Sequence, residues 1–297
     1  MKKQTVVVID FGSQYTQLIT RRIREHKVYS EIFPHTITVR ELEKINVSAI
    51  ILSGGPSSVY ESTSPQIDDK ILKLNVPILG ICYGLHLIIS SAGGNVIHKG
   101  HGEYGFATVH CEMNSQLLEN FPENSQAWMS HGDEIENIGA EFNVIARSSN
   151  NVIAAIQHKN LAIFGIQFHP EVIHTLDGRN IMFNFLFKIA NCKPDWTSEN
   201  FITDSIAEIR EKVGETGQVI TGISGGVDSS VVGTLLHKAI GNRSHCVFID
   251  HGMLRKNESS QVMGSLKKGL GLNINQYDQS SLFLSALKGT RDPEKKR

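Results

Sequence analysis

Residues 77–84 read Pro77-Ile78-Leu79-Gly80-Ile81-Cys82-Tyr83-Gly84, an apolar run that ends in a cysteine between two glycines. The proline-led run predicts a short buried strand, and the apolar pattern after it predicts a helix. Gly-x-Cys-x-Gly between a strand and a helix is the cysteine form of the nucleophile elbow. The glycines favour this interpretation over an inert core cysteine, because a side chain at either position would collide with neighbouring backbone in a tight turn.

The predicted turn also suits a reactive thiol electrostatically. The N-terminus of the helix behind Cys82 favours negative charge and therefore the thiolate. Backbone N–H groups at the turn can face an oxyanion. The sequence thus predicts Cys82 as a nucleophile.

A base for this thiol is predicted at His169. Residues 161–167 form an apolar run typical of a strand, and Phe168-His169-Pro170-Glu171 follows directly. An imidazole can take and return the proton, while the Glu171 carboxylate fixes its tautomer. The alternative is a histidine satisfied within a loop. Cys82, His169 and Glu171 together predict a catalytic triad.

Composition excludes some partners. The 297 residues are enough for two domains, each with its own core. Lys and Arg total 29 against 30 for Asp and Glu, a balance that predicts binding to neither nucleic acid nor an anionic membrane. No apolar run approaches a membrane span. The four cysteines show no metal or disulfide spacing, which fits a reducing cytoplasm.

The order of elements predicts two α/β domains. Buried strands are predicted at residues 5–9, 29–33 and 49–52, with helices between them, and short strands and turns over 96–168. Lys193-Pro194-Asp195-Trp196-Thr197 predicts a boundary, because proline, charge and a helix cap coincide there.

Beyond the boundary, the strand at 219–220 leads into Ser224-Gly225-Gly226-Val227-Asp228-Ser229-Ser230, with a helix predicted from about Ser229 through Leu236. Glycines, hydroxyls and a helix N-terminus make an anion cradle. The loop lacks the Gly-Lys-Ser/Thr of a Walker A motif, which argues against γ-phosphate transfer. The alternative is a plain glycine turn, but that leaves the hydroxyl and acid groups unexplained.

Several stretches in this order carry a family resemblance. The stretches that resemble class I glutamine amidotransferases are Leu52-Ser53-Gly54-Gly55-Pro56, Gly80 to Gly84, Ser130-His131-Gly132-Asp133 and Gln167-Phe168-His169-Pro170-Glu171. Ser224 to Ser230 resembles the ATP pyrophosphatase loop, and the whole order, from about residue 5 onward, resembles the glutamine-hydrolysing GMP synthase family.

The resemblance implies a fold and a domain plan. It implies a flavodoxin-like class I glutamine amidotransferase domain over residues 1–193 and a linker over 194–199. Residues 200–297 would be the first part of an adenine-nucleotide α-hydrolase-like (ATP pyrophosphatase) α/β domain.

It also implies roles for particular residues. Gly55 and Tyr83 would supply the oxyanion hole. The implied glutamine-binding residues are His86, Ser130, His131, Gly132 and Asp133. The implied ATP-binding residues are Ser224, Gly225, Gly226, Val227, Asp228, Ser229 and Ser230, with Asp228 as a candidate Mg²⁺ ligand or, alternatively, a residue that positions phosphate.

The implied activity is that of an ATP-dependent ligase of purine biosynthesis. Glutamine hydrolysis would release ammonia, and the second domain would adenylylate XMP with ATP and Mg²⁺. Ammonia would then displace AMP and give GMP. The resemblance also implies a homodimer. The alternative is a non-catalytic module that keeps the fold and senses glutamine or nucleotide.

Two departures from the family pattern bear on these expectations. The family's elbow continues Cys-x-Gly-x-Gln, and here His86 replaces that glutamine, which predicts altered glutamine binding. Relative to the family, the chain is expected to stop within the second domain, before the dimerisation domain. On that basis the chain alone is expected to be limited to glutamine hydrolysis.

Overall fold

A computed structural model describes residues 3–296, for His101 the backbone only. The outermost residues of the two predicted domains, 1–2 and 297, lie outside the described range. The chain forms two compact units, of which the first ends at Trp196 and the second begins at Thr197. None of the helices in residues 3–296 has the length and apolar character that a membrane crossing needs.

The first unit alternates strands and helices and then becomes mainly β. Its elements are, in order, β1 (Gln4–Asp10), α1 (Thr16–Glu25), β2 (Ser30–Pro34), α2 (Val39–Leu42), β3 (Asn46–Leu52), β4 (Ile78–Ile81), α3 (Tyr83–Ser91), β5 (Asn95–Cys111), β6 (Asn124–Asn137), β7 (Phe142–Ser148), β8 (Ile153–His158), β9 (Ile163–Ile166) and α4 (Gly178–Phe183). Helix α4 continues as a π-helical segment over Asn184–Ile189.

These strands form one sheet in the order β2-β1-β3-β4-β9-β8-β7-β5-β6. The first five strands in that order are mutually parallel, and the remaining pairings are antiparallel. Strand β1 is fully buried from Val6 to Ile9, as expected for a parallel strand covered on both faces. Separate apolar clusters around Ile19 and around Tyr83 lie against the sheet.

The parallel half of the sheet positions the functional site. Strands β1, β3, β4 and β9 are neighbours that run in the same direction, so their carboxyl ends meet at one edge. Open α/β sheets bind their ligands at this edge. Cys82 follows β4 directly, and His169 lies three residues beyond the end of β9.

The antiparallel half differs from the prediction of short strands over 96–168. Strands β5 and β6 are 17 and 14 residues long. Their pairing is interrupted between His98 and Glu103, where the register shifts. Gly100 and Gly105 adopt positive φ angles in β5, so these glycines interrupt or bend a long strand in the region where short strands and turns were predicted.

The second unit is a smaller α/β layer. Its elements are α5 (Ser198–Val213), β10 (Val219–Ile223), α6 (Val227–Ile240), β11 (Ser244–Asp250), α7 (Glu258–Met263), β12 (Ile274–Asp278), α8 (Ser280–Ala286) and α9 (Pro293–Lys296). The three strands form a parallel sheet in the order β10-β11-β12. Its core is built around Phe248 and Ile274.

Helix α6 corrects one prediction. It begins at Val227 and ends at Ile240, not over Ser229 to Leu236. Gly226 stands at the N-cap in an extended conformation, and glycine is an accepted residue there. Val227 and Asp228 therefore lie in the first turn of the helix and not before it.

The segment between the two units is only partly free of structure. The Trp196 ring lies 4.9 Å from that of Tyr29, and its backbone N–H donates to the Lys27 carbonyl at 2.7 Å. Helix α5 begins at Ser198, within the predicted 194–199 linker, and the Thr197 hydroxyl caps it by accepting from the Asn200 N–H at 3.2 Å.

Candidate active site

Cys82 occupies a strained backbone position between β4 and α3. Its φ and ψ angles are 51° and −107°, and a positive φ is uncommon in a residue with a side chain. The glycines on either side allow this turn to close. A Cβ on Gly80 would lie 2.6 Å from the Gly84 carbonyl, and one on Gly84 would lie 2.4 Å from the Leu52 carbonyl oxygen. The predicted strand, turn and helix around Cys82 are all present.

His169 and Glu171 form a buried pair. The Nδ1 atom of His169 lies 2.8 Å from Oε1 of Glu171, and both side chains are almost completely buried. Backbone contacts hold His169 in place: its N–H donates to the Trp128 carbonyl at 3.0 Å, and its carbonyl accepts from the Thr175 hydroxyl at 2.6 Å. Because Nδ1 faces the carboxylate, Nε2 is the nitrogen left for the thiol.

The electrostatics of His169 favour the imidazolium. Burial alone would lower the pKa of His169, but the charge of Glu171 and a hydrogen bond with Cys82 outweigh it and raise the pKa to about 10. A carboxylate and an ionisable sulfur on opposite sides of one imidazole stabilise its protonated form. The arrangement therefore suits a thiolate–imidazolium pair.

Cys82 and His169 open into one cavity of about 560 Å³. Nearly every residue predicted for glutamine hydrolysis in the first unit lines this cavity. The predicted residues that line it are Gly55, Cys82, Tyr83, His86, Ser130, His131, Gly132, Asp133 and His169. Glu171 lies behind His169 and outside the lining.

The oxyanion-hole prediction fits this geometry. Gly55 and Tyr83 line the same cavity as Cys82. Tyr83 is the first residue of α3, so its backbone N–H has no acceptor within the helix. A Cβ on Gly55 would lie 2.6 Å from the Phe11 carbonyl oxygen, which explains the glycine there. Two backbone N–H groups at this edge can face one oxygen anion.

Strand β6 forms another wall through Ser130 to Asp133. The Cys82 thiol donates to the Ser130 carbonyl over 3.7 Å. His131 lies with Nδ1 2.9 Å from the Asp133 carbonyl oxygen and Nε2 3.3 Å from the Glu103 carboxylate. Asp133 accepts from the Tyr60 hydroxyl at 3.0 Å. Side chains from several elements thus hold this wall.

Glu103 is a residue that the sequence analysis missed. It is buried, and burial alone would raise its pKa, but hydrogen bonds from His131, Ser148 and Asn150 outweigh burial and lower it. The Ser148 and Asn150 bonds measure 2.8 and 2.7 Å. No local pattern marks Glu103, because its partners lie on other strands and loops.

His86 lies one helical turn after Cys82 and points at a residue that received no predicted role. Its Nε2 atom lies 2.7 Å from Oε1 of Gln167, and the Gln167 amide nitrogen lies 3.7 Å from the Cys82 sulfur. Burial lowers the pKa of His86 to about 4. Gln167 stands two residues before His169, so its position in the motif was the available signal.

The loop over residues 224–230 forms a compact turn at the start of α6. The hydroxyls of Ser224 and Ser229 lie 3.0 Å apart, and the Ser230 hydroxyl donates to the Gly226 carbonyl at 2.8 Å. Gly225 has a φ of 82°, which glycine adopts without strain. Residues 224–228 are exposed, so the N–H groups of the first helical turn face solvent. The loop fits an anion such as a phosphate group.

Asp228 is the acidic residue of the first turn of α6. Within residues 3–296 there is no group of three or more His, Cys, Asp or Glu side chains arranged to hold a metal ion. Mg²⁺ usually binds one or two carboxylates together with waters and substrate phosphates. Asp228 as a Mg²⁺ ligand stays a prediction.

Comparisons with known proteins agree with both units. Residues 7–189 match the family model of class-I glutamine amidotransferases, and residues 198–296 match the NAD synthase model. The glutamine-hydrolysing GMP synthase of Listeria innocua is 48% identical over 296 residues, and that of Lactobacillus delbrueckii subsp. bulgaricus is 49% identical over 293. The alignments cover 100% and 98% of this chain but only 57% and 56% of those proteins.

A solved structure resembles the first unit. It is a putative GMP synthase subunit from Thermoplasma acidophilum, with a TM-score of 0.55 and 30% identity, and the match covers 64% of this chain and 96% of that one. The chain spans a little over half the length of the GMP synthases it matches. The family model covers most of the first unit and more than half of the chain. From its sequence and the fold of its first unit, this chain belongs to the class-I glutamine amidotransferase family.

Proposed function

We propose that the first unit hydrolyses glutamine with Cys82, His169 and Glu171. The observation that carries the proposal is the position of Cys82, at a positive φ at the head of α3 and hydrogen-bonded to a histidine that a carboxylate orients. The cavity in front of the sulfur gives the substrate room. Glutamine would lie against Ser130 to Asp133 and His86.

The chemistry follows from the arrangement. The Cys82 thiolate attacks the side-chain amide carbon, and the N–H groups of Gly55 and Tyr83 receive the oxyanion. Nε2 of His169 gives its proton to the departing nitrogen, which leaves as ammonia. His169 then takes a proton from water, the hydroxide attacks the thioester, and glutamate leaves as the Cys82 thiolate forms again.

We propose that the whole protein is a GMP synthase. The proposal rests on the two GMP synthases named above and on the NAD synthase match of the second unit. Residues 1–193 would be the glutaminase domain, and residues 200–297 would begin the ATP pyrophosphatase domain. ATP phosphates would bind the 224–230 loop with Mg²⁺ on Asp228, and ammonia would convert adenylylated XMP to GMP. A homodimer is proposed from the resemblance alone.

The glutaminase proposal is tested by measuring ammonia release and by trapping the thioester with hydroxylamine. Cys82→Ala should release no ammonia and form no γ-glutamyl hydroxamate. Cys111→Ala, Cys192→Ala and Cys246→Ala are the matched controls, and each should retain both activities. Ammonia release from Cys82→Ala at the wild-type rate would overturn the proposal. Glutamine binding without hydrolysis by the wild type would favour the alternative, a sensing module.

A further inference from the structure

Gln167 lies between the nucleophile and a second buried histidine. Its side chain is fully buried, with Oε1 2.7 Å from His86 Nε2 and the amide nitrogen 3.7 Å from the Cys82 sulfur. Backbone hydrogen bonds fix both partners: the Gln167 N–H donates to Ala154 at 2.8 Å, and the His86 N–H donates to the Cys82 carbonyl at 3.2 Å. None of the steps of the proposed mechanism uses Gln167.

The direction of each hydrogen bond follows from the protonation of His86. Burial lowers the pKa of His86 to about 4, so the ring is neutral near pH 7 and carries one N–H group. Oε1 of Gln167 can only accept, so the proton lies on Nε2 of His86. The amide then has its oxygen held by the histidine and its N–H groups toward the sulfur. The flipped amide would place its oxygen, which can only accept, against the Cys82 thiolate, which also can only accept, and this pairing is the less favourable one.

We propose that Gln167 is a positioning residue whose amide N–H donates to the Cys82 sulfur, and that His86 acts through it by locking the amide orientation. This inference rests on the proposed role of Cys82 as the nucleophile. A donor to an ionised acceptor forms a stronger hydrogen bond than one to a neutral acceptor, so the contact stabilises the thiolate more than the thiol. His86 therefore influences the chemistry without touching the reacting atoms.

The effect of Gln167 on the thiol can be measured apart from the effects of the titratable groups around the sulfur. The titratable side chains that line the cavity with Cys82 are Tyr15, Tyr83, His86, His98, Tyr104, His131, Asp133 and His169, and Glu171 lies behind His169. Substitution of Gln167 leaves all of them in place. A change in the behaviour of the thiol in such a variant therefore reports on the amide.

The test is the pH dependence of alkylation of Cys82 by iodoacetamide, measured on the whole chain without glutamine. Mass spectrometry of the peptide that contains Cys82 makes the measurement specific to this thiol. In Gln167→Met, which keeps the length of the side chain but has no N–H, the midpoint should rise by about 0.5–1 pH unit. His86→Leu should raise it by a smaller amount, and His86→Gln, which again offers an N–H to Oε1, should restore it.

A double variant tests whether His86 acts through Gln167. The midpoint of His86→Leu combined with Gln167→Met should equal that of Gln167→Met alone. Cys192 is buried and serves as a folding control, since it should stay unreactive in every variant. If Gln167→Met exposes Cys192, Gln167→Leu is the replacement, because it is also uncharged and lacks a side-chain N–H.

An unchanged midpoint in the folded Gln167 variant, or additive effects in the double variant, would overturn the inference. Alkylation does not require glutamine turnover. A chain that releases no ammonia but shows these shifts would therefore contradict the proposed function and still support the hydrogen bond from Gln167 to the Cys82 sulfur.

Discussion

The Nδ1 atom of His169 lies 2.8 Å from Oε1 of Glu171, while the other carboxylate oxygen, Oε2, is buried without a hydrogen-bond partner among the described residues. The only polar contact that this structure gives the carboxylate is therefore with the histidine. Its negative charge acts mainly on the imidazole, which keeps Nε2 directed at the sulfur and favours the protonated ring.

We expect Glu171→Gln to lower kcat for glutamine hydrolysis by about 10²–10⁴-fold, with a smaller effect on KM. The amide has almost the same shape but no charge, so the imidazolium loses its main stabilising partner. Steady-state ammonia release at saturating glutamine measures the effect. Glu119→Gln, whose carboxylate pairs with Lys188 at the surface, is the control. A Glu171→Gln enzyme with wild-type kcat would contradict the role of the carboxylate.

His169 should make the first unit less stable at alkaline pH. Burial alone would lower the pKa of His169. Glu171 and Cys82 raise it by more than burial lowers it, so the pKa increases from the usual 6.5 to about 10. The contribution of the protonated His169 to the free energy of unfolding is fully present below pH 6.5. It is lost as the pH rises to about 10, by up to about 1.36 kcal/mol per pH unit. Urea unfolding followed by fluorescence measures it, because both tryptophans lie in the first unit. His169→Gln should lack this slope, and an equal slope would refute the prediction.

His86 should act at the opposite end of the pH range. Burial lowers the pKa of His86 in the folded protein to about 4. The contribution of the neutral ring to the free energy of unfolding is therefore present above pH 6.5 and is lost as the pH falls toward 4. The same fluorescence measurement should show wild type losing stability relative to His86→Gln between pH 6.5 and 4. Parallel curves for the two proteins over that window would show that His86 is not buried as a neutral ring.

Gly84→Ala should destabilise the first unit by at least about 3 kcal/mol, because the new Cβ would lie 2.4 Å from the backbone oxygen of Leu52. Gly93→Ala is the control, because it should cost less stability than Gly84→Ala. Gly93 has a φ of 76° and open space around it, so alanine there meets only the left-handed strain of about 1–2 kcal/mol. Equal losses in the two variants would mean that the elbow relaxes around the added methyl group.

Asp228→Asn should weaken ATP binding about tenfold in the presence of Mg²⁺ and leave it nearly unchanged in EDTA. Asparagine keeps the size of the side chain but removes the charge that would bind the cation. Isothermal titration of the whole chain with ATP under both conditions gives the comparison. Glu215→Gln, an exposed acidic residue before β10, controls for the loss of charge alone. Equal weakening in EDTA would place Asp228 on the nucleotide and not on the metal ion.

Local signals in the sequence predicted the elements that build much of the candidate active site. The elbow at Cys82 and the strand end at His169 are each encoded within a few residues, so glycine spacing and apolar runs were sufficient to find them. The start of α6 was placed two residues too late, because Gly226, which has no side chain to mark it as a cap, precedes the first helical residue.

Contacts between distant segments could not be predicted in this way. His86 and Gln167 are 81 positions apart and meet only because β4 and β9 pair in the sheet. Glu103 reaches His131 across an irregular part of the β5–β6 pairing. No periodicity within one segment contains this information, because register between strands is set by tertiary packing.

The nucleophile and its base come from adjacent parallel strands, β4 and β9, while Ser130 to Asp133 come from β6 at the other edge of the sheet. The separation of Cys82 and His169 is thus fixed by the spacing between neighbouring strands, about 4.8 Å. Strand β6, in the chain segment between them, also supports both residues, because the Trp128 carbonyl accepts from the His169 N–H and the Ser130 carbonyl accepts from the Cys82 thiol. The wall that faces the substrate and the backbone contacts that hold the reacting pair consequently share one strand, so a change in β6 that alters what enters the cavity can also alter the reaction there.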